Sequence, residues 1–338
     1  MICLGVESTA HTFGAAVVEE SDSRGNGFRI LSDRKDVYRA PEGSGIHPRE
    51  AARHHAETSS DVVESALREA HVGISDLDFI SYSAGPGLGP CLRVGAVVAR
   101  SLAGYFKKPI VPTNHAVGHI ELGRKLLKLE DPLVLLISGG HTLLAARSAN
   151  GWSIFGETLD LTLGQLLDQL GRHFGLSSPA GPKIESLASA HQNPGEILDL
   201  PYTIKGNDVS YSGLLSAAKD LYARGNSKES ISFAVQEFSF SILTEATERA
   251  LAFTDKKELL VTGGVAANQR LAEMLQKMCD SRSVRLGVIS KQFAGDCGSQ
   301  IGAAGFLFYH QGKSVTPREA FIKQSWRIDR VELENRVV

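Results

Sequence analysis

The chain has 338 residues, more than one hydrophobic core usually holds, so two domains or one duplicated domain are expected. Its 36 Lys and Arg nearly balance 38 Asp and Glu, and the formal net charge of -2 excludes a global attraction to nucleic acid or anionic membranes. Four cysteines without a CxxC pair exclude a zinc ribbon or a disulfide framework, and the lack of a basic leader or a long apolar run predicts an untargeted cytoplasmic protein.

The first segment of the chain predicts a β-hairpin. Residues 1–19 place one apolar run before the turn sequence ESTAHT and another after it, which is typical of two antiparallel strands. The turn carries Glu7 and His11, and both are candidates for a general base because a carboxylate or an imidazole can accept a proton. Each also suits an ordinary role as a turn or capping residue.

Two helices are predicted next. Residues 47–70 contain a Pro near the helix start, and residues 83–106 run from a Gly- and Pro-rich loop into a helix of small residues. The first helix carries His54 and His55, two further general-base candidates whose alternative is a surface position. The small residues of the second helix predict close packing against its neighbours.

The sequence NHAVGHIELG at 114–123 predicts a metal site on a helix. His115 and His119 are one helical turn apart on the same face, so one nitrogen of each ring can reach the same ion. A pair of partly exposed helix histidines is the alternative. The zinc-protease motif HExxH is not formed, and Glu121, offset from that face, is expected to be an ordinary surface carboxylate.

A second hairpin is predicted around the sequence SGGHT. Apolar runs lie before and after it, and no large side chain blocks the backbone N–H groups of Ser138, Gly139 and Gly140. Consecutive N–H groups of this kind form a nest that can hold an anionic phosphate.

The segment 156–188 predicts a helix that carries Asp160 and Asp168. Their spacing corresponds to about two helical turns, so both are expected on a similar face, where carboxylates could hold ribose hydroxyls. Solvated helix acids are the alternative. Gly181 and Glu185 follow and could complete the same pocket.

Two further Gly-rich turns follow a predicted helix at 237–253. The segment around TGGVAAN predicts a strand, a turn and an amphipathic helix, and Asn268 either contacts an adenine or caps that helix. Asp296 lies in a glycine-flanked turn and is either a turn residue or a third metal ligand. Two imidazoles and one carboxylate suit iron or zinc and leave positions open for phosphate or water. The charged residues 325–338 predict a surface tail.

The Gly-rich junctions together predict an α/β fold made of a duplicated domain with a nucleotide cleft between its halves. This layout resembles the actin-like ATPase superfamily, which includes sugar kinases and Hsp70. We expect the first half at 1–128, joined by the helical region 305–338, and the second half at 129–304. No low-complexity linker separates the halves.

The chain as a whole resembles the universal tRNA threonylcarbamoyltransferase family, which includes the catalytic subunit of the archaeal and eukaryotic KEOPS complex. The order and spacing of its motifs match as a set, which is more specific than any single Gly-rich loop. The motifs are GVESTAHT, GIHPREAARHH, SAGPGLGPCLRVGA, NHAVGHIELG, SGGHT, GETLDLTLGQLLDQLGR, AGPKIE, KGNDVSYSGL, TGGVAANQRL and FAGDCGSQIGAAG.

The resemblance implies transfer of a threonylcarbamoyl group from threonylcarbamoyl-AMP to N6 of the adenosine 3′ of the anticodon, in tRNAs that read codons beginning with A. It implies one divalent metal ion, Fe²⁺ first and Zn²⁺ second, on His115, His119 and Asp296, and ATP or threonylcarbamoyl-AMP as the nucleotide ligand. The implied nucleotide-pocket residues are Leu136, Ile137, Ser138, Gly139, Gly140, Asp168, Gly181, Glu185 and Asn268.

The resemblance also implies several partners: tRNA, a small Bud-type kinase or ATPase, accessory KEOPS subunits, and a synthase that supplies the intermediate. Because the chain is slightly acidic, tRNA would need a local basic face. The candidates for the basic face are Arg49, Arg53, His54, His55, Lys107 and Lys108.

One departure from the family concerns Leu136, since archaeal members often carry a tyrosine there whose oxygen reaches the metal. Leucine cannot coordinate, so water or a phosphate oxygen is expected at that position.

Three other functions stay open on sequence grounds. A metallopeptidase is suggested by the HxxxH spacing and opposed by the missing HExxH glutamate. A sugar-kinase-like phosphotransferase would need a catalytic aspartate and magnesium, and would not require the histidine pair. A nucleotide-dependent scaffold is compatible with the fold, but the complete set of metal and pocket motifs argues against it.

Overall fold

The computed structural model describes residues 1–21, 27–41, 44–149, 151–193 and 195–333. Its strands form two five-stranded sheets and one two-stranded ribbon. The strands are β1 (Ile2–Glu7), β2 (Thr12–Glu19), β3 (Arg29–Val37), β4 (Phe79–Gly85), β5 (Ile110–Asn114), β6 (Leu133–Ile137), β7 (Thr142–Ser148), β8 (Gly151–Glu157), β9 (Ile204–Lys205), β10 (Asp208–Val209), β11 (Glu258–Thr262) and β12 (Arg285–Val288).

The two large sheets have the same strand order. The first runs β3-β2-β1-β4-β5, and the second, written from the corresponding edge, runs β8-β7-β6-β11-β12. In each sheet, neighbouring strands among the first three are antiparallel. The last two strands run parallel to the third strand. The repeated order confirms the α/β fold class and the duplication predicted from the two hairpins.

Both predicted hairpins are present, and their inner strands are buried. Glu7 is paired with Gly14 across the first hairpin, and Ile137 is paired with Thr142 across the second. Nearly every side chain of β1, β2 and β6 is buried, because helices cover both faces of each sheet. The turns of both hairpins therefore emerge at the ends of rigid strands.

Helices connect and cover the strands. The predicted helices at 47–70, 83–106, 114–123 and 237–253 are confirmed within α1, α2, α3 and α7. The helices are α1 (Pro48–Ala70), α2 (Gly89–Phe106), α3 (His115–Leu127), α4 (Leu163–His173), α5 (Gly181–Ser189), α6 (Ser212–Ala223), α7 (Lys228–Thr254), α8 (Gln269–Ser281), α9 (Lys291–Ala294) and α10 (Gly298–His310).

Helices α3 and α10 pack against each other where the two sheets meet. α3 follows β5 of the first sheet but contacts β11 and β12 of the second, whereas α10 follows the second sheet and packs on β1, β2 and β5 of the first. The approach is close: a Cβ on Gly5 would lie 2.5 Å from the backbone nitrogen of Gly302. The domain boundaries after residues 128 and 304 stay a prediction, and the second of them falls inside α10.

The start of α3 is fixed by Asn114. Its side-chain Oδ1 accepts hydrogen bonds from the N–H groups of Ala116 at 2.9 Å and Val117 at 3.2 Å, and its amide donates to the carbonyl of Trp326. Such a cap satisfies backbone donors that the helix itself leaves unpaired. Because Asn114 ends β5, His115 is the first helical residue and its position follows the edge of the first sheet.

The predicted surface tail at 325–338 is wrong for its described part. Val331 and Leu333 are 2% and 4% exposed and pack in the same cluster as Trp152 of β8. Arg327 adds an ion pair with Glu157, also on β8, at 3.0 Å. The apolar residues of this segment alternate with charged ones, so its inner side is buried while its outer side carries the charge. Residues 334–338 lie outside the described part of the chain.

Glu121 is a buried ion-pair partner, so its predicted role as a surface carboxylate is wrong. It is 2% exposed, and Arg124 donates to its two carboxylate oxygens at 2.9 and 3.1 Å. A buried charge needs such a partner, because its desolvation is otherwise costly. Within the described ranges, no helix has the length and apolar character needed to cross a lipid bilayer.

Candidate metal centre and nucleotide pocket

Three predicted ligands converge at the junction of α3 and α10. Nε2 of His119 lies 3.3 Å from Oδ1 of Asp296, and Nε2 of His115 lies 3.6 Å from the same oxygen. One ligand atom from each residue lies within 4.8 Å of the other two. The two histidines share a face of α3, and Asp296 reaches them from the turn before α10.

The three residues fit a metal ion. Neither ring nitrogen of the buried His119 has a hydrogen-bond partner among the described residues, which leaves a polar group unsatisfied. Ligand atoms of a tetrahedral site with bonds of about 2.1 Å are separated by about 3.4 Å, close to the distances found here. A first-row divalent ion would therefore satisfy His119 and neutralise the Asp296 carboxylate.

The ring of His115 is oriented from its other side by Glu7. Oε2 of Glu7 accepts a hydrogen bond from Nδ1 of His115 at 2.9 Å, and the Gln300 amide donates to the same oxygen at 3.2 Å. Oε1 of Glu7 accepts from the N–H of Thr9 at 2.5 Å. A carboxylate on the distal nitrogen fixes the tautomer of a ligating histidine, and Glu7 is 0% exposed.

Charges around the triad favour the ligating forms of His119 and Asp296. Burial lowers the pKa of His119, so its ring is neutral. Burial alone would raise the pKa of Asp296, but the His115 and His119 rings hold it below its ordinary value. For His115, burial acts in the opposite direction to the Glu7 and Asp296 carboxylates, which raise its pKa to about 9. A metal ion would displace a proton from His115 on binding.

The turn after β6 has open space beside its two glycines, but its N–H groups are not all free. The N–H of Ser138 donates to the carbonyl of His141 at 2.8 Å, and the N–H of Gly140 donates to the Ser138 hydroxyl at 3.2 Å. The expected nest of three free N–H groups is therefore reduced. Of the three, only the N–H of Gly139 lacks an acceptor among the described residues. A Cβ on Gly139 or Gly140 would meet no atom within 4 Å, so the space beside them is open.

The side chains of Leu136 and Ile137 point into the hydrophobic cores. Both are 0% exposed, and they belong to two different core clusters. Only their backbone could contact a nucleotide. Leu136 offers no metal ligand, because its side chain is a hydrocarbon.

The remaining predicted pocket residues are linked by short hydrogen bonds. Asp168 accepts from the N–H of Ala180 at 2.7 Å, which places it beside Gly181 at the start of α5. One turn later, Glu185 accepts from the N–H of Gln269 at 2.8 Å.

Asn268 precedes Gln269 in the chain and caps α8. It accepts from the N–H of Leu271 at 3.1 Å, and its amide donates to Gln236 at 3.2 Å. Asp168, Gly181, Glu185 and Asn268 thus lie in one row, and a side chain at Asn268 that already serves as a cap has limited freedom to bind a base.

The turn at Ser138 and this row are joined through α4. Thr162, the N-cap of α4, donates to the carbonyl of Gly139 at 2.9 Å, and Gly164 is so close to Ser138 that a Cβ there would lie 2.7 Å from its carbonyl oxygen. The predicted phosphate turn therefore lies at the start of the helix that carries Asp168.

Asp160 does not share a helix face with Asp168, so that prediction is wrong. It lies in the loop before α4, where it accepts hydrogen bonds from Ser210 at 2.6 Å and from the N–H of Tyr211 at 2.8 Å. Partial burial opposes ionisation, but the Ser210 and Ser212 hydroxyls hold the pKa of Asp160 well below its usual range. Its role is to tie this loop to α6.

Three residues near the triad were not predicted as parts of it. Thr9 Oγ1 lies 3.3 Å from Nδ1 of His115, and Gln300 is fully buried beside Glu7. The ring of His141 lies 6.2 Å from that of His115, and its buried Nδ1 has no partner within the described chain. Burial and the neighbouring His115 lower the pKa of His141 to about 3. The positions of Thr9 in ESTAHT and of His141 in SGGHT were the available signals.

The general-base candidates separate into two groups. Glu7 and His55 are 0% exposed, so neither side chain is accessible to a substrate. His11 is half-buried and lies near enough to Asp296 to lower the pKa of that carboxyl. The proposed surface position of His55 is wrong. His54 is half-buried and bonded to Asp36 at 2.9 Å.

The predicted basic face is only partly assembled. Arg49 is exposed near the start of α1, while Arg53 is paired with Glu50 at 2.9 Å. Lys107 and Lys108 precede β5, and His115 follows it, so the two lysines lie at the opposite end of the sheet from the metal site. They are therefore poorly placed to contact a substrate bound at the triad.

Comparison with solved structures identifies the fold. HypF of T. kodakarensis superposes with a TM-score of 0.62 at 14% identity, covering 95% of this chain and 49% of HypF. The activator of 2-hydroxyisocaproyl-CoA dehydratase from Clostridium difficile, solved with bound ADPNP, gives a TM-score of 0.53 at 10% identity, covering 92% of this chain and 96% of the activator. These likenesses support the actin-like ATPase fold.

Comparison of sequences identifies the family. A sequence model described as tRNA N6-adenosine threonylcarbamoyltransferase matches residues 29–303. Proteins of that name from Caldivirga maquilingensis and Methanopyrus kandleri are 43% and 44% identical, covering 98% and 97% of this chain and 98% and 95% of theirs. A probable bifunctional tRNA threonylcarbamoyladenosine biosynthesis protein of Methanocaldococcus jannaschii is 45% identical over 98% of this chain and 60% of its own length. The chain belongs to the tRNA N6-adenosine threonylcarbamoyltransferase family.

Proposed function

We propose that this protein transfers the threonylcarbamoyl group from threonylcarbamoyl-AMP to N6 of the adenosine 3′ of the anticodon, in tRNAs that read codons beginning with A. The observation that carries the proposal is the convergence of His115, His119 and Asp296 beside an open Gly-rich turn, in a chain of this family. The triad and the turn lie in the part of the molecule where the two duplicated sheets meet.

The reaction is a group transfer between two nucleophiles. The N6 lone pair attacks the carbamoyl carbon, a C–N bond forms, the bond from that carbon to the phosphate oxygen breaks, and AMP leaves. N6 loses one proton. The exocyclic amine is a weak nucleophile, so the protein contributes by orienting the two substrates and by stabilising the negative charge that develops on the transferred group.

Each part of the site has a proposed task. His115, His119 and Asp296 would hold a divalent ion, Fe²⁺ or Zn²⁺, which would supply Lewis-acid chemistry toward phosphate or the transferred group. Glu7 orients His115. His11 is half-buried in the turn between β1 and β2, and we propose that it accepts the proton from N6.

The nucleotide is proposed to lie along α4. Gly139 and Gly140 leave space for a phosphate beside the free N–H of Gly139, and the backbone of Leu136 and Ile137 leads into that turn. The row of Asp168, Gly181, Glu185 and Asn268 would hold the ribose and base of AMP. Carboxylates suit ribose hydroxyls, because they accept hydrogen bonds from them.

Partners follow from the same family. We propose that the protein acts in the cytoplasm with tRNA, a synthase that supplies threonylcarbamoyl-AMP, a small Bud-type kinase or ATPase, and accessory KEOPS subunits. The relative from Methanocaldococcus jannaschii is named bifunctional, and this chain matches 60% of its length.

The test is incorporation of labelled threonine into an ANN-decoding tRNA transcript, with bicarbonate, ATP, the synthase and the accessory subunits. Wild type is compared with the double variant His115→Ala/His119→Ala and with His173→Ala, a control at an exposed histidine on α4. We expect label with wild type and His173→Ala, and none with the double variant.

A transcript with guanosine in place of the target adenosine must also stay unlabelled. If the synthase is active and all partners are present, an unlabelled wild-type reaction would refute the transferase function. Release of peptides from a denatured substrate would instead support a metallopeptidase, and ATP-dependent phosphorylation of a sugar would support a kinase.

A further inference from the structure

The turn between β1 and β2 is held from outside by three separate elements. Its three successive carbonyl groups each accept one hydrogen bond, and each donor comes from a different part of the first half of the chain. The pairs are Leu88 N–H with Thr9 at 2.7 Å, His55 Nε2–H with Ala10 at 3.1 Å, and Tyr38 N–H with His11 at 2.8 Å. The turn therefore has one imposed orientation.

The N–H groups of this turn face the other way. In a trans peptide the C=O and the following N–H point in opposite directions, so the N–H groups of Ala10 and His11 point away from α2 and α1. Neither has an acceptor within the described ranges. Thr9 Oγ1 of the same turn lies 3.3 Å from Nδ1 of His115, and His11 lies near enough to Asp296 to lower the pKa of that carboxyl, so the turn borders two of the metal ligands.

His55 is the only side chain among the three outside donors, and it is held rigidly. It is 0% exposed, its ring packs 5.8 Å from that of Phe13, and its Nδ1 lies 3.4 Å from Nδ1 of His54. Nε2 of His54 in turn donates to Asp36 at 2.9 Å. Because Ala10 and Asp36 accept, the Nε2 atoms of His55 and His54 are the donors, and the two Nδ1 atoms face each other.

We propose that His55 is a positioning residue for the transfer reaction. Its bond to the Ala10 carbonyl holds the N–H groups of Ala10 and His11 toward the carbonyl oxygen of the transferred carbamoyl group. The ring of His54, which Asp36 holds, packs against the ring of His55 and keeps it in place. The inference rests on the proposed function, because it assigns a task within that reaction.

The chemistry explains why two N–H groups matter here. When N6 attacks the carbamoyl carbon, the C=O bond opens and negative charge develops on its oxygen. Fixed N–H donors stabilise such an oxygen, and loss of one donor typically lowers kcat by about 10² to 10³. A small displacement of the turn is therefore expected to slow turnover more than it weakens binding.

The first experiment compares two substitutions of the positioning residue. His55→Gln keeps an N–H donor that can reach the Ala10 carbonyl, whereas His55→Leu keeps bulk but has no donor. We expect His55→Leu to lower kcat about 30-fold with KM for tRNA and metal content unchanged, and His55→Gln to restore kcat to within about threefold of wild type. Thr58→Ala, on the same helix, is the control and should match wild type.

Equal losses in His55→Gln and His55→Leu, or a wild-type kcat in His55→Leu, would overturn the inference. If His55→Leu does not fold, Asp36→Leu takes its place, since Asp36 is exposed and anchors the outer end of the chain of contacts. A threefold loss of kcat is then expected, and an unchanged kcat would contradict the proposal.

A second readout does not depend on transferase activity. Backbone amide resonances of Ala10 and His11 are followed by NMR while inorganic phosphate is added to Zn²⁺-loaded protein. We expect both to shift in wild type and in His55→Gln, and to move less than half as far in His55→Leu. If wild type transfers nothing but these amides respond, the proposed function fails while the orientation of the turn stands. If neither amide responds in wild type, the inference fails.

Discussion

Glu7 and His115 are 108 residues apart in the chain and share a hydrogen bond of 2.9 Å between Oε2 and Nδ1. Glu7 ends the first strand of the first sheet, and His115 begins the helix that follows its last strand. Because the carboxylate accepts a hydrogen bond from Nδ1–H, the opposite nitrogen of His115 is left to face Asp296 and a metal ion. The fold thus selects which nitrogen of His115 can coordinate.

Glu7→Gln is expected to weaken metal binding without removing a ligand. The amide has the size of the carboxylate but no charge, so it orients His115 less strongly and makes its ring a poorer ligand. We expect the Kd for Zn²⁺ to rise about 10- to 100-fold, measured by competition with a chromophoric chelator. Glu50→Gln, at a half-buried position on α1, should leave the Kd unchanged. An unaltered Kd in Glu7→Gln would show that the contact has no effect on the metal.

His119→Ala is expected to abolish stoichiometric metal binding while the fold is kept. Without a metal, neither nitrogen of His119 has a hydrogen-bond partner among the described residues, and Nε2 has only the Asp296 carboxylate at 3.3 Å, so the ring itself contributes little stability to the apo protein. Metal content after dialysis should fall from about one ion per chain to near zero, and the melting temperature of the apo protein should change little. Full metal occupancy in His119→Ala would contradict the assigned ligand set.

The sequence allowed the metal ligands to be predicted because their spacing is local. His115 and His119 share a helix face by periodicity alone, whereas Asp296 joined them only through resemblance to a family, since no local rule brings a distant turn to that helix. Glu121 was misjudged because a helical period does not reveal that α3 packs against strands of the second sheet as well as against α10. Asp160 was misjudged because the helix boundary lay after it, and boundaries are the least certain feature of a pattern.

Hydrogen bonds within one turn explain another of the errors. The Ser138 and Gly140 N–H groups were expected to be free, yet the Ser138 side chain and the His141 carbonyl take them up. The repeated hairpins, in contrast, follow from alternation of apolar runs and turn residues, so the duplication itself could be predicted. Contacts between side chains and distant backbone could not be predicted from such local patterns.

Gly139→Val tests whether the open space beside the second turn is a ligand site. A Cβ at Gly139 would meet no described atom within 4 Å, and the backbone there is not in the left-handed region, so folding should tolerate the change. We expect the melting temperature to stay within about 2 °C of wild type. The Kd for AMP, measured by calorimetry, should rise at least tenfold. Tight AMP binding by a well-folded variant would place the phosphate elsewhere.

Glu20→Ala is expected to destabilise the protein much more than a change at an exposed ion pair. Glu20 is 2% exposed and accepts hydrogen bonds from Lys125 at 2.5 Å and from His310 at 2.7 Å, so its removal leaves Lys125 largely buried without its acceptor. The expected loss is about 3 kcal/mol in urea unfolding. Glu64→Ala, which breaks an exposed pair with Arg68, should cost less than about 1 kcal/mol. Similar losses in both variants would contradict the assignment.

His55 is expected to make folding stability depend on pH in the mildly acidic range. Burial, together with the neighbouring His54, lowers the pKa of His55 to about 4 in the folded protein, although its bond to Ala10 acts in the opposite direction. In the unfolded chain the ring titrates near about 6.5, so the unfolded state binds more protons between these values. The stability present above about pH 6.5 is therefore lost as the pH falls toward 4.

His55→Gln removes this titration while keeping a donor to Ala10. Between pH 7 and pH 4.5, the free energy of unfolding of wild type should fall by about 2 kcal/mol more than that of His55→Gln, measured by urea unfolding at both pH values. The difference between the proteins should be constant above pH 7, because His55 is neutral in both states there. Parallel pH profiles would mean that His55 exchanges protons equally in the folded and unfolded states, and that its ring is not held in the neutral form by burial.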